Sequence, residues 1–246
     1  MTGALRRASL QSVESFLTGE SFTNALVVPI GVGQPRDRLT ILSDLARDKD
    51  VVDLGCADAG QIEEKLASGL WLHRLIARSA QRCIGIDVDG PSVALLRGLG
   101  ESDIYCADIT GPSVVDDGQW DLLVAGETLE HIDNPVAFLR AVRERHSGRI
   151  ARVALSVPSA FALRNVVEAA RGREVINSDH RYWFTPYTLG KVLVQAGLVP
   201  EWFVFCDPAP PEPVSGLGRA RQALRNLAFR LAPALRSDLV MVARIP

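Results

Sequence analysis

Residues 51–60, with the sequence VVDLGCADAG, constrain the fold more strongly than any other part of the chain. Residues 51–54 are apolar apart from one acid, which is typical of a central strand of a parallel sheet. Gly55 and Gly60 follow, and because glycine has no Cβ, the backbone can turn tightly there and come close to a ligand. A second short apolar run ends in Asp87. This combination predicts a pocket for a ligand with hydroxyl groups, such as a nucleoside.

The turn differs from that of the dinucleotide-binding enzymes. Their Gly-x-Gly-x-x-Gly turn binds a pyrophosphate through backbone amides at a helix N-terminus. The glycines here do not have that spacing, and Asp53 and Asp58 place negative charge where the phosphates would lie. These carboxylates suit a ligand with a cationic centre and an amino group, and Asp87 can accept hydrogen bonds from a ribose diol. A nicotinamide-dependent oxidoreductase is therefore the disfavoured alternative.

At these residues the sequence resembles the class I S-adenosylmethionine-dependent methyltransferases, whose first motif has an acid, a glycine and a cysteine ahead of a further glycine. The resemblance covers about residues 51–200, and its later elements follow in the family's order: Asp87, then residues 106–109, 120–127, 155–158 and 183–198. It implies S-adenosylmethionine as the cofactor. It also implies that Ala57, which stands where the family often has glycine, narrows the approach to the cofactor's methionine part. The implied cofactor-binding residues are Asp53, Gly55, Cys56, Ala57, Gly60, Asp87, Val88, Asp108, Ile109 and Gly126.

The candidate chemistry lies after the strand that ends near Gly126. Transfer of a methyl group needs a base when the acceptor must lose a proton. If the chain continues helically there, Glu127, Glu130 and His131 share one face. With His180 they form a plausible ligand set for Mg²⁺ or another divalent cation. The pattern resembles the ubiquinone-pathway O-methyltransferases and the small-RNA 2′-O-methyltransferases, whose matching side chains hold a magnesium-like ion that binds the acceptor hydroxyl.

A role without metal is the other interpretation of the same residues. His131 and His180 are then the candidate catalytic residues, with His131 as the base or as part of the pocket wall. Glu130 could instead cap the next helix near Asn134, and His180 could bond only to backbone in its loop. His73 and His146 fall on predicted helices away from these loops, and we assign them no role.

Alternating strand and helix patterns predict an α/β protein with a Rossmann-like, doubly wound, mostly parallel sheet. The resemblance implies seven strands with an antiparallel closing strand at 238–244. Residues 1–49 are expected to form an N-terminal helical segment over the cleft, with helical spacing at 5–17, and residues 50–246 the methyltransferase domain. Two segments lie within that domain: a substrate-covering insertion at 159–184, and a loop with an amphipathic helix between the last strands at 208–236.

The amino-acid composition limits the classes of partner that the sequence predicts. The net charge of −2 gives no general attraction to nucleic acid, so none is expected as a partner. Four cysteines without a Cys-x-x-Cys pair, and no apolar run long enough for a membrane span, predict a cytoplasmic protein without stable membrane insertion. The helix expected at 217–235 has an arginine-rich face that could meet an acidic partner or a membrane surface, but a solvated face is the simpler interpretation.

The sequence thus predicts a methyltransferase that acts on a hydroxyl group of a small-molecule or sugar-bearing, glycosylated metabolite. The alternatives are a small-molecule N-methyltransferase, the oxidoreductase named above, and a non-catalytic module that keeps the cofactor fold. Four aromatic residues could stack on the acceptor or belong to the core: Phe161, Tyr182, Trp183 and Phe184.

Overall fold

A computed structural model of the protein describes residues 7–31, 36–58, 60–209 and 216–246. Within them a single seven-stranded sheet has the order β3-β2-β1-β4-β5-β7-β6. β7 pairs antiparallel with β5 and β6, and the other neighbouring pairs are parallel. The predicted doubly wound sheet with an antiparallel closing strand is confirmed. The strands are β1 Asp50–Leu54, β2 Arg82–Asp87, β3 Ile104–Cys106, β4 Trp120–Gly126, β5 Ile150–Pro158, β6 Val199–Cys206 and β7 Asp238–Arg244.

The helices begin at residues that suit helix N-termini. The Asp37 carboxylate accepts from Thr40 N, the Asn134 side chain from Ala137 N, and the Thr185 hydroxyl from Thr188 N. The helices are α1 Glu14–Thr18, α2 Arg38–Ala46, α3 Ile62–Ser68, α4 Leu72–Ser79, α5 Gly90–Gly98, α6 Pro135–His146, α7 Leu163–Ala170, α8 Pro186–Gln195 and α9 Leu217–Leu231. Short 3₁₀ helices lie at Gln11–Val13, Val114–Asp117, Leu129–His131 and Pro233–Leu235.

The sheet is buried on both faces, which is why its central strands are apolar throughout. Val52 of β1 packs into a cluster with α6 and α8, whereas Val51 packs into a second cluster with α2 and α4. Successive side chains of a strand point to opposite faces, so the two faces of β1 contribute to different core clusters. The rigid central strands hold their carboxyl ends, and the loops that follow them, at one edge.

Two predicted helices are shorter than the sequence pattern indicates. Residues 1–6 lie outside the described residues, and Ala8 forms an antiparallel bridge with Phe203, so the predicted helix at 5–17 is wrong at residues 7–10. α9 ends at Leu231 instead of 235, because Ala232 precedes a proline and leaves the helical region. Residues 210–215 of the loop predicted after residue 208 lie outside the described residues.

The predicted covering insertion at 159–184 starts and ends beside the sheet. Ser159 and Phe184 form a parallel bridge, and α7 lies between them. Arg181 N donates to the carbonyl of Glu130 at 2.9 Å, so the end of this segment is tied to the loop after β4.

Candidate active site

A cleft of about 780 Å³ lies at the carboxyl ends of β1, β2 and β4. Open α/β sheets bind ligands at this edge. At one end it is lined by Asp87, Val88, Asp108 and Ile109, and at the other by Glu127, His131 and His180, with Gly55, Gly126 and Arg38 also in its wall.

The backbone of the turn after β1 can be approached closely by a ligand. Gly55 has φ +75°, and a Cβ there would lie 2.6 Å from the hydroxyl oxygen of Thr128. Asp87 holds the turn from the next strand: its Oδ2 accepts from Ala57 N at 2.9 Å, and its Oδ1 accepts from Asp89 N at 2.9 Å. Each carboxylate oxygen can accept more than one hydrogen bond. The Asp87 side chain is therefore held in place and can still accept hydrogen bonds from a ligand.

The methyl group of Ala57 does not enter the cleft. Ala57 is fully buried and packs in a cluster with Ile62, Trp71 and Val93. The expectation that this methyl group narrows the approach to the cofactor is wrong, because the side chain points behind the turn. Gly60, the last residue of the predicted turn, is exposed and outside the set that lines the cleft.

Asp53 also lies behind the turn. It is buried, and its Oδ2 is 3.0 Å from Nδ1 of His73 on α4. Burial raises the pKa of Asp53, and the hydrogen bond from His73 partly offsets this. Asp53 lines a smaller cavity of about 220 Å³ together with Cys56 and His73, and this cavity adjoins the cleft, since Gly55 and Gly126 line both. Asp58 does line the cleft, where it forms an ion pair with Lys65 of α3.

Sequence reasoning missed three buried side chains that support the cofactor end of the cleft. His73 and His146 lie on helices away from the loops at 127–131 and 179–184, as predicted, but they were assigned no role: His73 contacts Asp53, and His146 Nε2–H donates to the carbonyl of Ile109 at 2.8 Å. Trp71 Nε1–H donates to the carbonyl of Cys56 at 2.7 Å. The sequence signal for His73 was the helical period of the apolar residues, which puts His73 beside the apolar positions of α4 and so indicates that it is buried.

The loop after β4 does not continue as a helix. Glu127 has φ +51°, and only Leu129–His131 form a single 3₁₀ turn. The predicted shared face of Glu127, Glu130 and His131 is therefore wrong. Glu127 is instead tied to β5, since its N–H donates to the Ser156 carbonyl at 3.0 Å and its Oε1 accepts from the Ser156 hydroxyl at 3.1 Å.

Glu130, His131 and His180 form a cluster whose nitrogen and carboxylate oxygen atoms lie within 4.8 Å of one another. The rings of His131 and His180 meet edge to face, with centroids 4.7 Å apart. His131 Nδ1 lies 2.7 Å from Oδ2 of Asp179. The predicted approach of His180 to the loop after β4 is observed, although 49 residues of sequence separate His131 from His180.

Glu130 is fully buried, and both its carboxylate oxygens lack a hydrogen-bond partner among the described residues. Burial, reinforced by the charge of Glu127, raises its pKa to about 9. Burial lowers the pKa of His180, and the neighbouring His131 lowers it further. Glu130 does not cap the next helix, because Asn134 does so.

Arg38, at the start of α2, is a further residue that sequence reasoning did not single out. Its guanidinium lies 3.5 Å from Glu127 Oε1 and 3.6 Å from Asp238 Oδ2, and it lines the cleft beside Gly55. An isolated arginine carries no motif signal, so only the packing of α2 over the sheet edge reveals it.

The aromatic residues divide between core and loop. Phe184 is buried in the core, Tyr182 donates its hydroxyl to the carbonyl of Asp133, and Trp183 meets the His180 ring edge to face. Phe138 of α6 is the aromatic residue among those that line the cleft in the described part of the chain.

Residues 52–145 match a family model described as a methyltransferase domain. The matched residues contain the glycine-rich turn, Asp87, Glu130 and His131, but not His180. Among curated proteins, none matches the sequence.

Solved structures with a similar fold include three whose names describe methyltransferases or their complexes. A Haloferax volcanii protein solved in complex with the Trm112 methyltransferase activator is 15% identical over 84% of this chain and 87% of its own, with a TM-score of 0.54. Magnesium protoporphyrin IX methyltransferase from Synechocystis PCC 6803, with bound SAH, is 14% identical over 88% and 90%, with a TM-score of 0.50. The small RNA methyltransferase HEN1 is 15% identical over 91% of this chain and 27% of its own, with a TM-score of 0.52. At these identities the likeness lies in the fold.

The sheet has the strand order of the class I methyltransferase fold, and residues 52–145 match a methyltransferase domain. Together they indicate an S-adenosylmethionine-dependent methyltransferase domain in this part of the chain, as the sequence motifs predicted.

Proposed function

We propose that this enzyme methylates a hydroxyl oxygen of a small-molecule or sugar-bearing acceptor, with His131 as the base. The observation that carries the proposal is the 2.7 Å contact of His131 Nδ1 with Asp179, at a histidine that lines the cleft. Asp179 holds the proton on Nδ1, which leaves Nε2 to accept one. A hydroxyl acceptor requires such a base, whereas a neutral amine attacks through its lone pair without first losing a proton.

In this reaction the acceptor oxygen attacks the methyl carbon, the carbon–sulfur bond of the sulfonium breaks, and the hydroxyl proton passes to His131. The products are the methyl ether and S-adenosylhomocysteine. His180 supports the step because its lowered pKa leaves it neutral near pH 7, where it can hydrogen-bond the acceptor.

The other end of the cleft suits the cofactor. Asp87 is oriented to accept hydrogen bonds from the ribose diol, and Val88 and Ile109 offer apolar surface to the adenine. Arg38 is a cation beside the glycine-rich turn, suited to the carboxylate of the cofactor's methionine part. With the nucleoside bound at this end, the sulfonium would lie toward the histidine cluster.

A divalent cation at Glu130, His131 and His180 is the second arrangement we propose for the same reaction. It fits because both oxygens of Glu130 are buried without a partner, and a bound cation would satisfy them. Such an ion would lower the pKa of the acceptor hydroxyl. Without an ion, the pKa of about 9 keeps Glu130 protonated near neutral pH, so the two arrangements differ in the charge of this side chain.

The test measures release of S-adenosylhomocysteine with a catechol, an alkyl glycoside and a primary aromatic amine as acceptors. His131→Ala is expected to lower kcat by about 10²- to 10⁴-fold, as removal of a general base does. Asp179→Asn should lower kcat, because the proton on Nδ1 of His131 loses its acceptor carboxylate. Asp133→Asn is the matched control, since Asp133 is another exposed acid that pairs with Arg181 but not with His131.

Cofactor affinity, measured separately by calorimetry, should be unchanged in the two active-site variants. Turnover of the amine with none of the hydroxyl compounds, or full activity in His131→Ala, would contradict the proposal. Exhaustive chelation distinguishes the two arrangements: activity that is lost and then restored by Mg²⁺ supports the cation, and activity that persists in metal-free protein eliminates it.

A further inference from the structure

Helix α9 presents an apolar stripe to solvent. Leu224, Leu227 and Leu231 are 70%, 52% and 80% exposed. They are three and four residues apart, so they lie on one face of the helix. Single exposed leucines are common on protein surfaces. Three on one face of one helix form an apolar patch, which is typical of a surface that binds a partner or a membrane.

The opposite side of α9 attaches the helix to the protein. Phe229 is 5% exposed, and the guanidinium of Arg236 lies 4.9 Å from the centre of its ring. Arg236 in turn forms an ion pair with Asp207 at the end of β6. The helix is therefore anchored with its leucine stripe facing away from the core.

The charged side chains of the segment that contains the stripe are all arginines. From Val214 to Ser237 the sequence contains no acidic residue in a chain of net charge −2, and it contains five arginines: Arg219, Arg221, Arg225, Arg230 and Arg236. Arg225 and Arg230 are exposed. Because each residue turns a helix by about 100°, Arg225 lies to one side of the stripe and Arg230 to the other; the guanidinium of Arg225 also lies 5.7 Å from the centre of the Phe229 ring.

We infer that α9 binds an anionic membrane surface, lying in the plane of the interface with its leucines at the acyl boundary and its arginines at the lipid phosphates. An apolar stripe between two basic flanks is the pattern of an interfacial helix, since long basic side chains reach outward to the headgroups while their stems cover apolar surface. At 15 residues the helix is about 22 Å long, too short to cross the hydrocarbon core. No helix in the described residues is long and apolar enough to span a bilayer.

A second copy of the chain is a poorer occupant. Two α9 helices packed through their leucines by a two-fold axis would bring arginine flanks together without an acid in the segment to offset them. Lipid phosphates supply the missing negative charge at both flanks at once. This inference concerns a surface away from the cleft and does not depend on the proposed acceptor.

The test is sedimentation of the full chain with vesicles of phosphatidylcholine and phosphatidylglycerol, against vesicles of phosphatidylcholine alone. The wild type should bind the anionic vesicles only. Arg225→Gln/Arg230→Gln should weaken binding about thirtyfold, since each basic residue near an anionic surface contributes about fivefold. Leu224→Ser/Leu227→Ser/Leu231→Ser should abolish binding. Arg78→Gln/Arg244→Gln removes the same charge from exposed positions elsewhere and should bind like the wild type.

Thermal unfolding should be unchanged in all variants, because the substituted leucines are exposed. Absence of binding by the wild type, or full binding by the triple leucine variant, would overturn the inference. So would light scattering without lipid that shows a dimer in the wild type and a monomer in the triple leucine variant, since a second copy would then occupy the stripe.

Discussion

Asp87 and Asp53 show how two acids at strand ends acquire different roles. Asp87 lines the cleft and accepts from two backbone amides, whereas Asp53 is turned into the protein and contacts His73. Both were predicted as cofactor contacts from the same kind of evidence. Position at the end of a strand indicates the sheet edge, but the direction of the side chain depends on whether a partner such as His73 packs behind it.

Asp87→Ala should weaken binding of S-adenosylmethionine by about 1.5–3 kcal/mol, because charge-assisted hydrogen bonds to the ribose are lost. Isothermal titration calorimetry measures this loss. Asp89→Ala, at the neighbouring acid outside the set that lines the cleft, is the control and should bind normally. Equal affinity of Asp87→Ala and the wild type would mean that the ribose lies elsewhere.

Among the elements, α4 has more influence on the site than a connecting helix usually has. Its preceding residue, Trp71, holds the Cys56 carbonyl, and its His73 holds Asp53. Leu72 and Ile76 of the same helix are buried in the core. The support of the cofactor turn by the same helix follows from its packing against β1 and β2, which no local pattern encodes.

Trp71→Phe removes the indole N–H and leaves the Cys56 carbonyl buried without a donor, which should lower the free energy of unfolding by about 1–3 kcal/mol. It should also weaken cofactor binding several-fold, because the turn is no longer held. Trp120→Phe is a matched control: Trp120 is also buried and donates to the Val115 carbonyl at 3.0 Å, but it begins β4 at the opposite edge of the sheet.

Chemical denaturation and calorimetry distinguish the two effects. Both variants are expected to lose stability, and only Trp71→Phe is expected to lose cofactor affinity. If the two tryptophan variants bind the cofactor equally well, α4 has no part in holding the turn.

For the whole molecule, stability should depend on pH through His146. This residue is fully buried between Ile109 and Asp116, near Arg145 and Arg149, and burial lowers its pKa. Below the ordinary value of 6.5 the unfolded chain binds a proton that the folded chain does not. Folding stability therefore falls as the pH falls, by at most about 1.4 kcal/mol per pH unit for one proton. Above that value both states are neutral and the difference vanishes.

The measurement is urea unfolding of the wild type and His146→Gln at pH 7.5 and pH 5.5. Glutamine keeps an N–H donor for the Ile109 carbonyl and does not titrate, so the variant should lose less stability than the wild type on acidification. Identical losses in the two proteins would show that His146 becomes protonated without cost in the folded state.

The strand pattern and the glycine-rich turn could be predicted from the sequence, because steric limits on the backbone and the period of apolar residues act between near neighbours. The seven strands and the antiparallel closing strand followed from the resemblance and were confirmed by the sheet, whereas the order of the strands was observed only in the structure. The pairs that define the site were decided only by tertiary structure: Arg38 with Glu127, Asp53 with His73, and His131 with Asp179. The two residues of each pair lie far apart in the sequence, so their contact depends on how whole elements pack. The direction of a side chain at each loop is set by burial and by the partners available to it rather than by the local sequence.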